Sequence, residues 1–156
     1  MGFRLEDAAE DHLLHDRVVR DVAEARFGLE DWDIVTSPGL TGDGALEGVA
    51  PDIVARHSMQ VVAVGEVETI GTLSVERAEL WKAFGQSCAR FYLYVPEGTE
   101  EETARLIANH EIACAGLRSY SHDGVLTVRP VHIGGVRCND DDHPWWVAIG
   151  GGDKIC

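Results

Sequence analysis

Residues 51–55 read Pro-Asp-Ile-Val-Ala, and residues 59–69 read Met-Gln-Val-Val-Ala-Val-Gly-Glu-Val-Glu-Thr. These two stretches decide the fold. Both are rich in β-branched residues and a short polar connection near His57 separates them, the pattern of two strands in a tight hairpin. Val61-Val62-Ala63-Val64 is apolar at every position, so this strand is expected to be covered on both faces. Glu66-Val67-Glu68 then puts two carboxylates on one face, because strand side chains alternate with a period of two. With a three-residue loop, 56–58 or 57–59, Asp52 lies opposite residue 62 or 64 and shares the face of Glu66. Two acids directly after an apolar run are unfavourable unless something positive compensates them.

Upstream, Leu5 to Phe27 has the spacing of an amphipathic helix, with Leu14, Val18, Val22 and Ala25 on one face and Gly28 in the place of a cap. Trp32–Thr36 reads as a short strand, and the four glycines between Gly39 and Gly48 as a loop. Downstream, Ser74 is positioned as the N-cap of a helix from Val75 to Ala89 whose buried stripe is Trp81, Phe84 and Cys88. Phe91–Val95 reads as a strand. A third helix is expected from Thr99, with Glu102 in capping-box spacing, to Gly116, and a last strand from Val125 to Ile133. Strands 59–69 and 91–95 flank a helix, which makes them parallel neighbours in a crossover. The class is α/β: a mixed central β-sheet flanked by helices.

The chain of 156 residues is one domain's worth, with a core over about 5–133 and a Gly-rich, acidic extension over 134–156 that Trp145-Trp146 suggests is docked. There are 27 acids against 13 Lys and Arg, a net charge of −14, which opposes tight binding to a polyanion. Residues 1–52 carry 13 acids and 4 bases, residues 100–156 carry 9 and 5, and residues 53–99 carry 5 and 4, so the middle is nearly neutral. No run is long and apolar enough to span a bilayer and no signal-peptide core opens the chain, so the expectation is a cytoplasmic protein with no membrane contact. Cys88, Cys114, Cys138 and Cys156 form no C-x-x-C pair and are read as free thiols.

Pro51-Asp52, a gap of 13 residues, then Glu66-Val67-Glu68 resembles the signature of the PD-(D/E)XK nuclease superfamily. The expected order of elements is similar to that superfamily's restriction endonuclease-like αβββαβ core over roughly residues 5–115, and Pro51–Ala55 looks like the Pro-Asp-Ile-x-Ala of archaeal Holliday-junction resolvases. The resemblance implies that Asp52 and Glu66 bind Mg²⁺ or Mn²⁺, with the backbone carbonyl of Val67 as a further ligand. The ion would activate water and neutralise charge on a DNA phosphate. The third motif position is usually Lys and here is Glu68, a departure that would make it a ligand or a base. Arg56 is a candidate for a displaced positive charge, Gln86 for the polar residue of the crossover helix, and Glu10 or Asp16 for an acid from the first helix. DNA binding is expected to be weak for the chain alone, and aided by a homodimer or a protein partner. Two other readings are a catalytically retired nuclease fold serving as a protein-interaction module and a hydrolase of small phosphate esters.

Other constellations carry less. Ser121-His122-Asp123 spells a triad, but adjacent residues cannot converge as one, and with Gly124 they make a turn. His12 and His15 have a spacing that can bind metal on a helix, although an amphipathic surface explains them as well. Cys138-Asn139-Asp140-Asp141-Asp142-His143 lacks a calcium-loop or zinc pattern, and Thr41-Gly42-Asp43-Gly44 lacks the Lys and helix of a phosphate loop.

Overall fold

A computed structural model describes residues 5–28, 32–36, 51–86 and 89–131. The glycine loop over 39–48, Cys88, the acidic run over 138–143 and the extension over 134–156 with its Trp pair lie outside the described residues. The elements run α1 (Leu5–Arg26), β1 (Asp33–Thr36), β2 (Ile53–His57), β3 (Gln60–Val67), α2 (Arg77–Gln86), β4 (Arg90–Pro96), α3 (Glu100–Asn109), β5 (Gly116–His122) and β6 (Leu126–Pro130). All six strands form one mixed sheet in chain order; β3, β4 and β5 are parallel, and β1–β2, β2–β3 and β5–β6 are antiparallel. No described helix is long and apolar enough to cross a membrane.

Strand alternation divides the core into two layers. Ile53, Ala55, Ala63 and Val67 pack with Val18, Val22 and Phe27 of α1. Val54, Val64, Leu93 and Leu117 point the other way, onto Trp81 and Phe84 of α2 and Ala104 and Ile107 of α3. The sheet is thus covered on both faces, as the uninterrupted Val61–Val64 run requires.

Two expectations are corrected. The β2–β3 hairpin turns through two residues, not three: His57 pairs with Gln60, and Ser58 and Met59 take φ of 51° and 67°. Both central residues are left-handed, the geometry of a type I′ turn whose twist matches the strands. A β-bulge between Ala55 and Arg56 then shifts the ladder, so that Ala55 pairs with Ala63, Arg56 pairs with Val61, and Val62 is left over. Beyond it Ile53 pairs with Gly65, and one residue back along the same ladder Asp52 meets Glu66 rather than residue 62 or 64.

The third helix stops at Asn109, not Gly116, because Glu111 takes a φ of 52° and Ile112 N–H returns to Ile107 O at 3.0 Å. Gly116 instead opens β5, a strand absent from the expected order of elements. It caps nothing; a Cβ there would lie 2.7 Å from the buried guanidinium of Arg118. Thr99 stands at the N-cap of α3, yet its hydroxyl donates to Pro96 O at 2.6 Å rather than to the helix.

Candidate functional site

The site forms where β2 begins and β3 ends. Asp52, Glu66 and Glu68 are 7%, 1% and 0% exposed, an unusual depth for three acids. The bulge brings the first two together: the backbone N–H of Asp52 donates to Glu66 Oε1 at 3.0 Å, and the N–H of Val67 donates to Asp52 Oδ2 at 2.9 Å. The crossover that starts after β3 brings Arg77, the first residue of α2, over the carboxylates. Its Nη2 lies 2.8 Å from Glu66 Oε2 and 2.9 Å from Glu68 Oε1, and its Nε donates to Glu68 Oε1 and Oε2 at 2.9 and 3.2 Å. Glu68 also accepts from the Thr72 hydroxyl at 2.8 Å and from Trp81 Nε1 at 3.3 Å. Its own carbonyl accepts from Tyr120 Oη at 2.7 Å.

From the other side of the sheet α1 contributes two groups. His15 Nε2 donates to Asp52 Oδ2 at 3.1 Å while its Nδ1 donates to Asp16 Oδ1 at 3.2 Å. A ring that donates from both nitrogens is an imidazolium. Asp11 accepts from the Thr69 hydroxyl at 2.5 Å and from the Gly71 N–H at 3.3 Å, fastening α1 to the loop that follows β3.

The electrostatics follow from these contacts. The hydrogen bond to Asp52 raises His15 to about 9, against the opposing effect of burial. Burial alone would lift Asp52, but the hydrogen bonds from His15 and with Glu66 hold it below the ordinary carboxylate value. Glu66 is pushed well above that value, first by burial and then by the charge of Asp52. Burial also raises Glu68, with Arg77 as the largest opposing influence. Burial and mutual repulsion therefore oppose full ionisation of the Asp52–Glu66 pair, and a cation would relieve the repulsion.

Asp52, Glu66, Glu68 and the main chain of Val67 are brought together here. Gln86 is not: it lies nine residues after Arg77, about 13 Å further along α2 and half a turn out of phase, and is exposed. Arg56 is not either, since it pairs with Val61 beyond the bulge, about 13 Å along β2 from Asp52. Of the first-helix acids, Glu10 is exposed, and Asp16 reaches Asp52 only through His15. Arg77, Asp11, Thr72 and Tyr120 were not anticipated. One signal pointed to Arg77: a cation in the first turn of a helix opposes the helix dipole, so some anion must hold it there.

Among the described residues no three His, Cys, Asp or Glu side chains are grouped to hold one ion. Asp52 and Glu66 remain, two hard oxygen donors beside the Val67 main chain. That set fits Mg²⁺ or Mn²⁺, which commonly take one or two carboxylates and complete their shell with water and phosphate oxygens. His122, from the discounted triad spelling, pairs instead with Asp21 at 2.7 Å. No family model, curated protein or solved structure matches the chain.

Proposed function

We propose that this chain is a divalent-metal-dependent phosphodiesterase acting on DNA, built on a restriction endonuclease-like core. The observation that carries the reading is the meeting of Asp52 with Glu66, which are joined through the Asp52 N–H and buried at the end of an apolar strand. The order α1–β1–β2–β3–α2–β4 supports it, being the αβββαβ order that goes with this pair of acids. Asp52, Glu66 and the Val67 carbonyl would hold Mg²⁺ or Mn²⁺, which when bound supplies an activated water and charge neutralisation. His15 keeps Asp52 ionised and oriented. Arg77 brings to the site the positive charge that Glu68 does not, and Glu68 anchors it.

The net charge of −14 sets the conditions. DNA affinity is weak for one chain and steeply salt-dependent, and a homodimer or a protein partner raises it. The test is nicking of supercoiled plasmid at low salt with Mg²⁺ or Mn²⁺, using the wild type, Asp52→Asn and Glu66→Gln. Nicking that needs the ion and disappears in both variants supports the reading. A wild type with no ion-dependent cleavage of plasmid or of a small aryl phosphodiester overturns it.

A second reading has its own support. Arg77 closes over both Glu66 and Glu68, a satisfied network that needs no ion, as in a retired nuclease fold serving as an interaction module. Calorimetric titration of Mg²⁺ and Mn²⁺ separates the two, because the module binds neither.

A further inference from the structure

We infer that Arg77 is a tethered counter-ion that holds the place of the divalent cation on Glu66 and must withdraw before that cation binds. The inference rests on the metal-dependent reading above. Two features of the guanidinium carry it. Its attachments are unequal: Glu68 receives Nε as well as Nη2, whereas Glu66 receives Nη2 alone, at Oε2. The side chain is also 34% exposed, while the carboxylates beneath it are 2% and 0% exposed, so it closes the site from the solvent side. A guanidinium can therefore leave Glu66 and stay fastened to Glu68 through Nε.

Charge makes the two occupants exclusive. A divalent ion on Glu66 would stand within a few ångströms of the guanidinium, and like charges repel strongly in a partly buried site. Glu68 then has a definite part. Thr72 and Trp81 also donate to its carboxylate and fix it, so it does not follow the cation, and it parks Arg77 next to the ion. The third motif position thus serves as the mooring of a mobile cation supplied by the neighbouring helix.

The experiment is calorimetric titration of Mn²⁺ and Mg²⁺ at pH 8 into metal-free wild type, Arg77→Gln and Arg77→Lys, with Glu66→Gln as the control. Arg77→Gln is expected to bind Mn²⁺ at least tenfold more tightly than the wild type, and Arg77→Lys, which keeps the charge, less tightly than Arg77→Gln. Equal or weaker binding by Arg77→Gln overturns the inference and leaves the phosphodiesterase standing. Absence of binding in every protein overturns both. A wild-type measurement serves if Arg77→Gln does not fold. Nuclear magnetic resonance of ¹⁵N-labelled protein should show the Arg77 Nε–H signal retained on Mg²⁺ addition while rotation of its Nη groups quickens. Nη groups as restrained in the ion-bound protein as in the free one overturn the inference.

Discussion

The backbone N–H of Asp52 donates to Glu66 Oε1 at 3.0 Å, so these two residues are coupled through the main chain as well as by charge. A hydrogen bond of this kind survives protonation of Glu66, because Oε1 stays an acceptor.

Glu66→Gln tests how far Arg77 depends on Glu66. Glutamine removes a charge that burial and Asp52 disfavour and leaves Arg77 held by Glu68. Its melting is expected to stay within about 1 kcal/mol of the wild type, while stabilisation by Mg²⁺ or Mn²⁺ disappears. Were Glu66 the sole partner of Arg77, breaking the pair would cost about 3–5 kcal/mol. Urea denaturation with and without the ion distinguishes the two.

The metal-free protein should lose stability as pH rises from 6.5 to 9. His15 titrates near 6.5 when unfolded and about 9 when folded, so its contribution is full below 6.5 and is lost as pH climbs through 9. Glu66, also raised, acts in the same direction from 4.5 upward. After allowance for solvent screening the His15 share is about 1 kcal/mol. Denaturation midpoints at pH 6 and pH 9.5 should differ less in His15→Gln than in the wild type; an equal difference would falsify this assignment.

Gly85→Ala should destabilise the fold, against the usual preference of helices for Ala. A Cβ at Gly85 would stand 2.2 Å from the carbonyl oxygen of Ala113. The helix gains about 1 kcal/mol from Ala, but overpacking against backbone costs about 1–3 kcal/mol or more. A net loss of about 2 kcal/mol in chemical denaturation is expected, and unchanged stability would mean that α2 sits further from the segment before β5.

The hairpin turn offers the opposite case. Ser58 and Met59 occupy left-handed backbone without being glycine, and the Met59 side chain is almost fully exposed. Left-handed φ costs an ordinary L-residue about 1–2 kcal/mol, part of which glycine returns as unfolded-state entropy. The double variant Ser58→Asn, Met59→Gly should gain about 1 kcal/mol and leave ion binding unchanged, since the turn lies at the far end of the hairpin from Asp52. Thermal melting together with calorimetry checks both.

The legible parts of the chain are those where one pattern dominates. Leu5–Arg26 is helical on its apolar spacing alone, and Val61–Val64 with Phe91–Val95 announces buried strands. β5 was hidden because its buried run Gly116-Leu117-Arg118-Ser119-Tyr120 interleaves a glycine, an arginine and a serine with its apolar residues, so no alternation survives. Glu66 and Glu68 could be grouped because period-two parity along one strand is independent of tertiary detail, whereas Asp52 joins them only because a bulge does what a three-residue loop was expected to do. Arg77 could not, since its role depends on where the crossover sets down the first turn of α2. Gln86 was chosen from the same helix, but with the wrong phase.

The bulge at Val62 has an arithmetic meaning. Across a two-residue turn, partners on an unbroken ladder always differ by an odd number, as His57 and Gln60 do. Asp52 and Glu66 differ by an even one. Without a residue set aside, Asp52 would face Gly65 and project toward α1, and the thickness of the sheet would separate it from Glu66. The expelled valine corrects the count by one. A hairpin with the same two acids and a three-residue loop would need no such correction, so loop length and bulge are interchangeable ways of keeping the two carboxylates on one side.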